Sequence, residues 1–483
     1  MNWSTLMCPD RIRTVVRPST SSDMRTEFEK DYQRIILSAS FRRLQDKTQV
    51  FPLDKSDFIR TRLTHSLEVA NFARSIGRMI GSRIMSEEKD VEFTADMRED
   101  VCSVLECAGL LHDIGNPPFG HFGEDAIRDW FKRNLESIEY RGGTLSDALN
   151  EQQRQDFYNF EGNTQALRVV SKLHFMVDEH GMNLTKALLA TIIKYPVSSL
   201  EIDKDKSRPD RDIAHKKMGY FAADKEVFDS VQEGCETNGH RHPLAFALEA
   251  ADDIAYRTAD IEDAVKKKHL DVATMKAEIE KSLAAASGSY PQDAIELIKK
   301  LAGKIDHYVE RAENIGYEER ELYAIQNWLV RVQGVLITSA VDSFMDNYDA
   351  IMDGTFKKEL LAASPASLLM DVLGDVAYRY AFCSEPIIKL EVAADAIFDF
   401  LLGRLVMALR YYDTDMWKDH SVAVDRKMVE LISPSFMQVY RIHSKNASDG
   451  EKLYLRLLLA TDYVSGMTDS YARRLYRELR GID

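Results

Sequence analysis

Amphipathic helical periodicity, repeated along almost the whole 483-residue chain, is the feature that most constrains the fold. From Arg25 onward, apolar residues recur at spacings of three and four, and Gly or Pro residues interrupt the pattern at short intervals. The alternation of period two that strands require is nearly absent, and no internal repeat is visible. The pattern therefore predicts an all-α fold, with at most one small β-hairpin near residues 48–62.

Three regions are predicted along the chain. Residues 1–22 are rich in Ser, Thr, Pro and Arg without periodicity, which predicts a mobile N-terminal arm. Residues 23–270 are expected to form a helical core, and residues 271–483 a region of additional helices that packs on this core. Within the core, the charged stretch Ser198–Lys217 has no apolar spacing and is predicted to be an exposed loop.

Composition excludes several classes of protein. The five cysteines are scattered and form no Cys-x-x-Cys pair, which argues against a disulfide framework and against a thiolate zinc site. No apolar run is long enough to span a membrane, and no export signal is visible, so a cytoplasmic protein without membrane contacts is expected. The formal net charge of −15 disfavours nonspecific binding of nucleic acid. An anionic substrate would therefore need a local basic cluster or a cation.

The run Ala108–Glu124 contains the clearest candidate for chemistry. An apolar helix ends there in His112 and Asp113, and a Gly/Pro-rich turn follows. His65 opens an earlier helix, and an acid from Glu249–Asp253 can join from a third. Mixed His and carboxylate ligands suit Mn²⁺, Mg²⁺, Fe²⁺ or Zn²⁺. Each residue alone is explained equally well as a helix cap or turn residue, and only the combination favours a metal site.

The predicted helix Leu244–Lys268 has an unusual polar face. Asp252, Tyr256, Asp260 and Asp263 recur on it at i, i+4, i+8 and i+11, so their side chains share one side of the helix. A face with three acids and a tyrosine is not simply a core face. It is expected to line a site.

His121 and Glu124 lie three residues apart where a helix begins after the Gly/Pro-rich turn. Helix starts favour anions, so a His held there by a Glu can donate or accept a proton in phosphate chemistry. A plain helix cap is the alternative. Among the basic residues nearby, Arg62 stands three positions before His65, and Lys194 precedes a proline corner. A guanidinium suits phosphate oxygens, although most surface arginines are only solvated.

Six separated segments together carry a resemblance to one known family. In chain order they are Ser40–Phe51, Arg60–Ser66, Leu111–Glu124, Phe160–Gln165, Glu249–Tyr256 and Asp462–Asp469. They resemble the deoxyguanosine triphosphate triphosphohydrolases, HD-domain enzymes that cleave a dNTP to the deoxynucleoside and inorganic tripolyphosphate. The resemblance spans about residues 25–479. It implies that residues 23–270 form an HD-domain catalytic core and that residues 271–483 complete its nucleotide pocket. It also implies a role in controlling dNTP pools.

The resemblance implies a role for each matching position. The metal ligands would be His65, His112, Asp113 and Asp252, the last favoured over Asp253 because it stands four residues before Tyr256. His121, assisted by Glu124, would act on the scissile α-phosphate. The substrate-binding residues would be Gln49 and Asp260 at the sugar 3′-OH, Tyr256 under the sugar ring, and Arg62 and Lys194 at the phosphates. With Tyr256 under the ring there would be no room for a 2′-OH.

The same resemblance implies cofactors and partners. The metal is expected to be Mn²⁺ or Mg²⁺, and the substrate dGTP, with the choice of nucleobase open. Family members assemble as tetramers or hexamers, and some are activated by a nucleotide or by single-stranded DNA. Two alternatives stand beside this reading. One is another HD phosphohydrolase, a nucleotidase or cyclic-nucleotide phosphodiesterase, and the other is a nucleotide- or DNA-sensing assembly with little activity.

Overall fold

The structure is a computed structural model that describes residues 1–13, 23–49, 60–175, 177–205, 207–208, 211–286, 288–382 and 385–482. Within these ranges the chain forms 22 α-helices and a single two-stranded sheet, which confirms the predicted all-α fold. None of the described helices is both long enough and apolar enough to cross a lipid bilayer.

The helices of the first half are α1 (Trp3–Leu6), α2 (Glu27–Ile36), α3 (Ala39–Arg43), α4 (Arg62–Ser86), α5 (Ala95–Leu111), α6 (His121–Asn134), α7 (Glu151–Tyr158), α8 (Gly162–Arg168), α9 (Lys186–Ile192), α10 (Lys225–Gly234) and α11 (Pro243–Lys266). Those of the second half are α12 (Val272–Ala285), α13 (Gln292–Asn314), α14 (Arg320–Asp346), α15 (Tyr348–Met352), α16 (Ser367–Ala377), α17 (Glu385–Leu409), α18 (Trp417–His420), α19 (Ala423–Glu430), α20 (Pro434–Ser444), α21 (Asp449–Ser465) and α22 (Asp469–Arg480). The strands are β1 (Glu139–Tyr140) and β2 (Gly143–Thr144), and short 3₁₀ segments lie at Leu44–Asp46, Ile213–His215 and Ala222–Asp224. Single π-helical turns extend α8 over Val169–Leu173 and α16 over Tyr378–Phe382.

The pairing of α4 with α5 is central to the first half of the fold. Gly109 on α5 faces the α4 backbone so closely that a Cβ there would lie 2.5 Å from the Cα of Ala70. The absence of a side chain therefore allows the two helices to approach at this point. This approach brings the rings of His65 on α4 and His112 at the end of α5 to a centroid separation of 5.2 Å. Helix α11 packs against both.

Two apolar cores underlie the fold. The first contains α4, α5, α9 and α11 together with α13, α14 and α16, and buries Trp328 completely. The second is built from α6 and α7 and from α17, α20, α21 and α22, and buries Phe131 and Phe398. Helix α6 precedes residue 270 in the chain but packs in the second core with the C-terminal helices. The two cores therefore do not divide where the predicted regions divide.

The start of the chain differs from the predicted mobile arm. Trp3 and Leu6 are buried, and the indole nitrogen of Trp3 donates to the hydroxyl of Tyr348 at 2.8 Å. Arg11 forms a buried ion pair with Asp31 at 2.6 Å. The prediction of a mobile arm rested on the polar composition of the segment. Burial of these two large apolar side chains is enough to hold the segment on the fold. Residues 1–13 are packed, and residues 14–22 lie outside the described residues.

The hairpin predicted near residues 48–62 falls mainly on residues 50–59, which lie outside the described residues. Its two ends meet, because Thr48 and Thr61 form one antiparallel bridge. The sheet in the described chain lies elsewhere, between β1 and β2, where Arg141 and Gly142 turn with φ of 49° and 82°. Two positive φ values are typical of the tight turn that joins such strands. Strands of two residues are too short to show a period in the sequence.

Helical spacing predicts one continuous helix over residues 425–441 and another over residues 451–479, but each is divided in the structure. The pattern over residues 425–441 becomes α19 and α20, because Pro434 cannot continue a helix but fits its first turn. The pattern over residues 451–479 becomes α21 and α22. Thr468 caps the second of these, its hydroxyl accepting from the amide of Tyr471 at 3.2 Å. This break places Asp469 in the first turn of α22.

A buried ionic cluster joins helices from both halves of the chain. Arg168 at the end of α8 donates from Nε and from Nη2 to the two carboxylate oxygens of Asp462 on α21, each at 2.8 Å. Its third nitrogen bonds Asp224 at 3.1 Å. All three side chains are at most 4% exposed. The charges are therefore paired away from water, and each depends on the others.

Replacing Arg168 with methionine is expected to destabilise the fold by about 3–5 kcal/mol, because it removes the ion-pair partner of buried Asp462 and leaves Asp224 with Lys172 alone. The pKa of both carboxyls would then rise, so the loss of stability should be larger at pH 8 than at pH 5. Urea unfolding at the two pH values measures this. Arg133→Met is the matched control, since Arg133 is half exposed and its ion pair with Asp395, at 3.5 Å, lies in contact with solvent. Equal stability of the two variants would contradict the prediction.

Candidate active site

The four predicted metal ligands converge from three helices. One ligand atom from each of His65, His112 and Asp113 lies within 4.8 Å of the other two. Asp252 on α11 completes the group, its Oδ1 lying 3.2 Å from Nε2 of His65 and 3.4 Å from Nε2 of His112. His65 is fully buried, and His112 and Asp113 are nearly so. We refer to these four residues as the ligand cluster.

The surroundings of His112 fix the direction of its ring. Nδ1 donates to the carbonyl oxygen of Gly109 at 2.7 Å, which leaves Nε2 facing the two carboxylates. Burial lowers the pKa of His112, but the carboxylates of Asp113 and Asp252 outweigh it and raise the pKa to about 9. The two carboxylates thus favour a positive charge at this point, from a proton on His112 or from a bound cation. The ring is presented as a metal ligand must be, with one nitrogen committed to the backbone.

The donor set fits a divalent cation. Two imidazole nitrogens and two carboxylates are the ligands that Mn²⁺, Zn²⁺ and similar ions take in proteins. A basic side chain lies beside one carboxylate oxygen of each acid. Arg62 donates to Oδ2 of Asp113 at 2.7 Å, and the ammonium of Lys194 lies 3.5 Å from Oδ2 of Asp252. The cluster therefore offers ligands for a cation and, around them, positive charge for an anion.

His121 and Glu124 form a pair at the start of α6. His121 Nδ1 donates to Oε2 of Glu124 at 3.0 Å, and the ring is 75% exposed while Glu124 is 2% exposed. The other carboxylate oxygen of Glu124 accepts from the amide of Gly162 at 2.7 Å, which fixes the acid. The hydrogen bond to Glu124 and the charge of that carboxylate raise the pKa of His121. Burial raises the pKa of Glu124, but the bond from His121 and nearby positive charges outweigh it and lower that pKa to about 2. An exposed imidazole that holds its proton is thus supported by a buried carboxylate.

The turn before α6 connects this pair to the ligand cluster. Phe119 and Gly120 have φ of 63° and 59°, the left-handed region that glycine tolerates and phenylalanine rarely adopts. A Cβ on Gly120 would lie 2.4 Å from Nη2 of Arg62, whose Nη1 holds Asp113. His121 therefore follows directly on a residue that contacts the arginine of the cluster.

The residues predicted to hold a sugar have free acceptors. Both carboxylate oxygens of Asp260, and Oε1 of Gln49, are buried and have no hydrogen-bond partner among the described residues. Tyr256 lies one helical turn before Asp260 on α11, half-buried, with its ring centroid 5.9 Å from that of Phe382. Buried acceptors of this kind cost free energy unless a ligand supplies donors. They are therefore available to a donor from a ligand.

One member of the predicted acidic face has another partner. Asp263 accepts from Arg60 Nη1 at 2.7 Å, and the same guanidinium pairs with Glu68 at 2.9 Å. Arg60 thus ties α11 to the start of α4. Asp263 is a structural acid, unlike Asp252 and Asp260 on the same helix face.

The loop predicted as exposed, Ser198–Lys217, brings a basic residue to the site that the sequence did not single out. Ser198 and Ser199 are buried, and Lys217 bonds Glu161 at 2.7 Å. Its charge is close enough to favour ionised Glu124 and to oppose protonation of His121. The segment Phe160–Gln165, which carries Glu161, was the one available indication. A lysine at the end of a charged loop has no spacing that marks it as part of a site.

Comparisons with known proteins agree with this geometry. A family model described as HD domain matches residues 62–195. A deoxyguanosinetriphosphate triphosphohydrolase-like protein of Listeria monocytogenes is 45% identical over 487 residues, with 100% of both chains covered. The chain belongs to the deoxyguanosinetriphosphate triphosphohydrolase family. A deoxyguanosinetriphosphate triphosphohydrolase-like protein of Synechocystis is 33% identical, with 100% of both chains covered. A deoxyguanosinetriphosphate triphosphohydrolase of Klebsiella pneumoniae is 32% identical over 100% of this chain and 98% of its own.

Membership of the deoxyguanosinetriphosphate triphosphohydrolase family confirms the resemblance seen in the sequence. The HD-domain match contains three residues of the ligand cluster as well as His121 and Glu124. Asp252 lies beyond the matched residues. Its inclusion rests on its distances to His65 and His112, which α11 sets by packing across α4 and α5.

Proposed function

We propose that the protein is a metal-dependent dNTP triphosphohydrolase that converts dGTP, and other dNTPs to an extent set by the base site, to the deoxynucleoside and tripolyphosphate. The observation that carries the proposal is the junction of three groups. A His/Asp cluster contacts Arg62, the same arginine contacts the turn that presents His121, and α11 carries Asp252 and Asp260 on one face. Phosphate, proton-transfer and sugar functions would meet there.

The ligand cluster would hold Mn²⁺ or Mg²⁺, which would withdraw charge from phosphate oxygens and acidify water. Arg62 and Lys194 would hold the remaining phosphate charge. Lys217 would add a third positive charge on the side of Glu124. This supply of local charge answers the net charge of −15, since the protein as a whole would repel a triphosphate.

His121 would donate a proton to the 5′-oxygen of the departing deoxynucleoside as water attacks the α-phosphorus. Its pKa, raised by Glu124, keeps the ring protonated at higher pH than a free imidazole. Glu124 is fixed by the amide of Gly162 and would orient the ring. The pair is exposed enough for a substrate to reach it.

The sugar would lie over Tyr256 with its 3′-OH between Gln49 and Asp260. Their buried, unpartnered oxygens support this assignment because a hydroxyl donor would satisfy one of them. Tyr256 would fill the space that a 2′-OH needs. Ribonucleotides would thus be excluded by shape and by the loss of sugar packing.

The products test the proposal. Purified protein is incubated with each dNTP and with Mn²⁺ or Mg²⁺, and tripolyphosphate is separated from pyrophosphate and phosphate. Deoxynucleoside and tripolyphosphate in equal amounts are expected, and EDTA should stop their release. Pyrophosphate with a nucleoside monophosphate would show that the reaction type is wrong, and a linear product from a cyclic nucleotide would identify a phosphodiesterase.

Replacing Tyr256 with alanine is expected to relax the preference for dGTP over GTP by about 10- to 100-fold, because the variant gains room for a hydroxyl. Tyr256→Phe keeps the ring and should keep the preference. The kcat/KM ratio for the two nucleotides measures the effect. Unchanged selectivity in the alanine variant would remove Tyr256 from sugar recognition.

A further inference from the structure

Asp469 connects two segments that carry separate parts of the site. Its Oδ1 accepts from the backbone amide of Phe119 at 2.9 Å. Its Oδ2 accepts from the amide of Thr48 at 3.0 Å and from the hydroxyl of Thr48 at 2.8 Å. The side chain is buried, and Asp469 lies 350 positions from Phe119 and 421 from Thr48. One carboxylate therefore spans a junction between distant parts of the chain.

Each of the two segments bonded by Asp469 is followed directly by residues of the candidate site. Phe119 has the positive φ that sets up Gly120, and His121 follows. Thr48 directly precedes Gln49, whose buried Oε1 has no partner. Phe119 takes a conformation that costs free energy for a phenylalanine, and the hydrogen bond to the buried Asp469 side chain offsets part of that cost.

A second contact from the same region supports the junction. The ammonium of Lys47 donates to the carbonyl of Asn116 at 2.5 Å and to the carbonyl of Ser465 at 2.8 Å. Asn116 belongs to the Gly/Pro-rich turn, and Ser465 ends α21. The segment Asp462–Asp469 is thus joined to the Gly/Pro-rich turn by Lys47 as well as by Asp469.

We propose that Asp469 is a positioning residue that sets His121 and Gln49 relative to one another. Its carboxylate is not used as a cap for its own helix, because Thr468 supplies that cap and the three hydrogen bonds above all go to other segments. A carboxylate accepts on both oxygens, and an amide accepts on one. Asparagine at this position would hold only one of the two segments. The expected effect on turnover rests on the proposed function, in which His121 acts at the phosphate and Gln49 at the sugar.

A substitution in Thr48 separates the sugar branch from the phosphate branch. Thr48→Val removes the hydroxyl contact and keeps the backbone amide, so it should raise KM for dGTP about tenfold, the loss of one hydrogen bond to a charged group, with kcat little changed. The matched substrate is 2′,3′-dideoxy-GTP, which lacks the 3′-OH and should show the same KM with both proteins. Ser470→Ala is the control variant, because Ser470 also joins α22 to the segment before Thr48, through an exposed bond to Asp46 at 2.8 Å.

Asp469→Asn tests the junction itself. It should lower kcat and raise KM, each about tenfold, and hydrogen–deuterium exchange should become faster in residues 117–121 and in residues 44–49 together. The exchange measurement needs no substrate, so it separates the positioning role from the proposed activity. Faster exchange in both segments without dNTP hydrolysis by the wild-type protein would leave the junction standing and overturn the function.

Three results would overturn the proposal. The first is unchanged hydrogen–deuterium exchange in both segments of a folded Asp469→Asn variant. The second is an equal rise of KM for dGTP and for dideoxy-GTP in Thr48→Val. The third is a rise of KM for dGTP in Ser470→Ala as large as that in Thr48→Val. If Asp469→Asn does not fold, Thr48→Val carries the test alone.

Discussion

Replacing Asp252 with alanine is expected to abolish turnover and to weaken binding of a divalent ion by about 100-fold or more. Loss of a residue that only orients a ligand would have a smaller effect than this. Asp252 contacts both imidazoles of the ligand cluster and lies beside Lys194. Without this carboxylate, His65 and His112 lose the acid they share. The remaining ligands, two imidazoles and Asp113, would bind an ion with fewer donors and less charge.

Asp253 gives the matched control for this experiment. It is the next residue on α11, also an acid, and it forms no ion pair with the residues of the ligand cluster in the described chain. Mn²⁺ binding by isothermal titration, together with tripolyphosphate release, should be within about threefold of the wild type in Asp253→Ala, because Asp253 is not a member of the ligand cluster. Equal losses in the two variants would mean that acidity of the helix, and not Asp252, holds the ion.

Helix boundaries and a regular helix face point, from the sequence alone, to His65, His112, Asp113 and one acid of Glu249–Asp253. The family resemblance selects Asp252 among those acids. His112 and Asp113 end α5 before a Gly/Pro-rich turn, and Asp252 shares a face with Asp260. Helix period and terminators are local properties, so they can be read from neighbouring residues. The all-α fold follows from the same property repeated along the chain.

Contacts between distant segments were beyond the reach of that reasoning. Lys217 reaches Glu161 from a loop whose charge suggested full exposure, and Asp469 reaches Phe119 across 350 positions. Trp3 is buried against Tyr348 from a segment with the composition of a mobile arm. In each case the partner is brought near by packing of whole helices, which no local pattern encodes. The break that creates α22 was missed for a related reason, since the apolar spacing continues across it.

Replacing His121 with alanine is expected to lower kcat by about 10²- to 10⁴-fold while binding of metal and nucleotide persists. The ring is 75% exposed and supports no packing, so the fold should be unaffected. His180→Ala is the matched control. His180 also pairs with an acid, Asp178 at 3.1 Å, but on a surface away from the ligand cluster. Undiminished release of tripolyphosphate by the His121 variant would exclude it as the proton donor.

The pH dependence of Glu124→Gln identifies which protonation state of His121 is active. Glu124 raises the pKa of His121, so the wild-type ring stays protonated to higher pH than a free imidazole. Removing the carboxylate charge lowers that pKa again. If protonated His121 is the donor, kcat falls as pH rises through its pKa, and this fall should begin at lower pH in Glu124→Gln. Glu161→Gln gives the comparison, because Glu161 contacts Lys217 and not His121. Among the described residues, Glu124 is the acid that His121 contacts. If kcat falls at the same pH in the wild type and in Glu124→Gln, the group that titrates is therefore not His121.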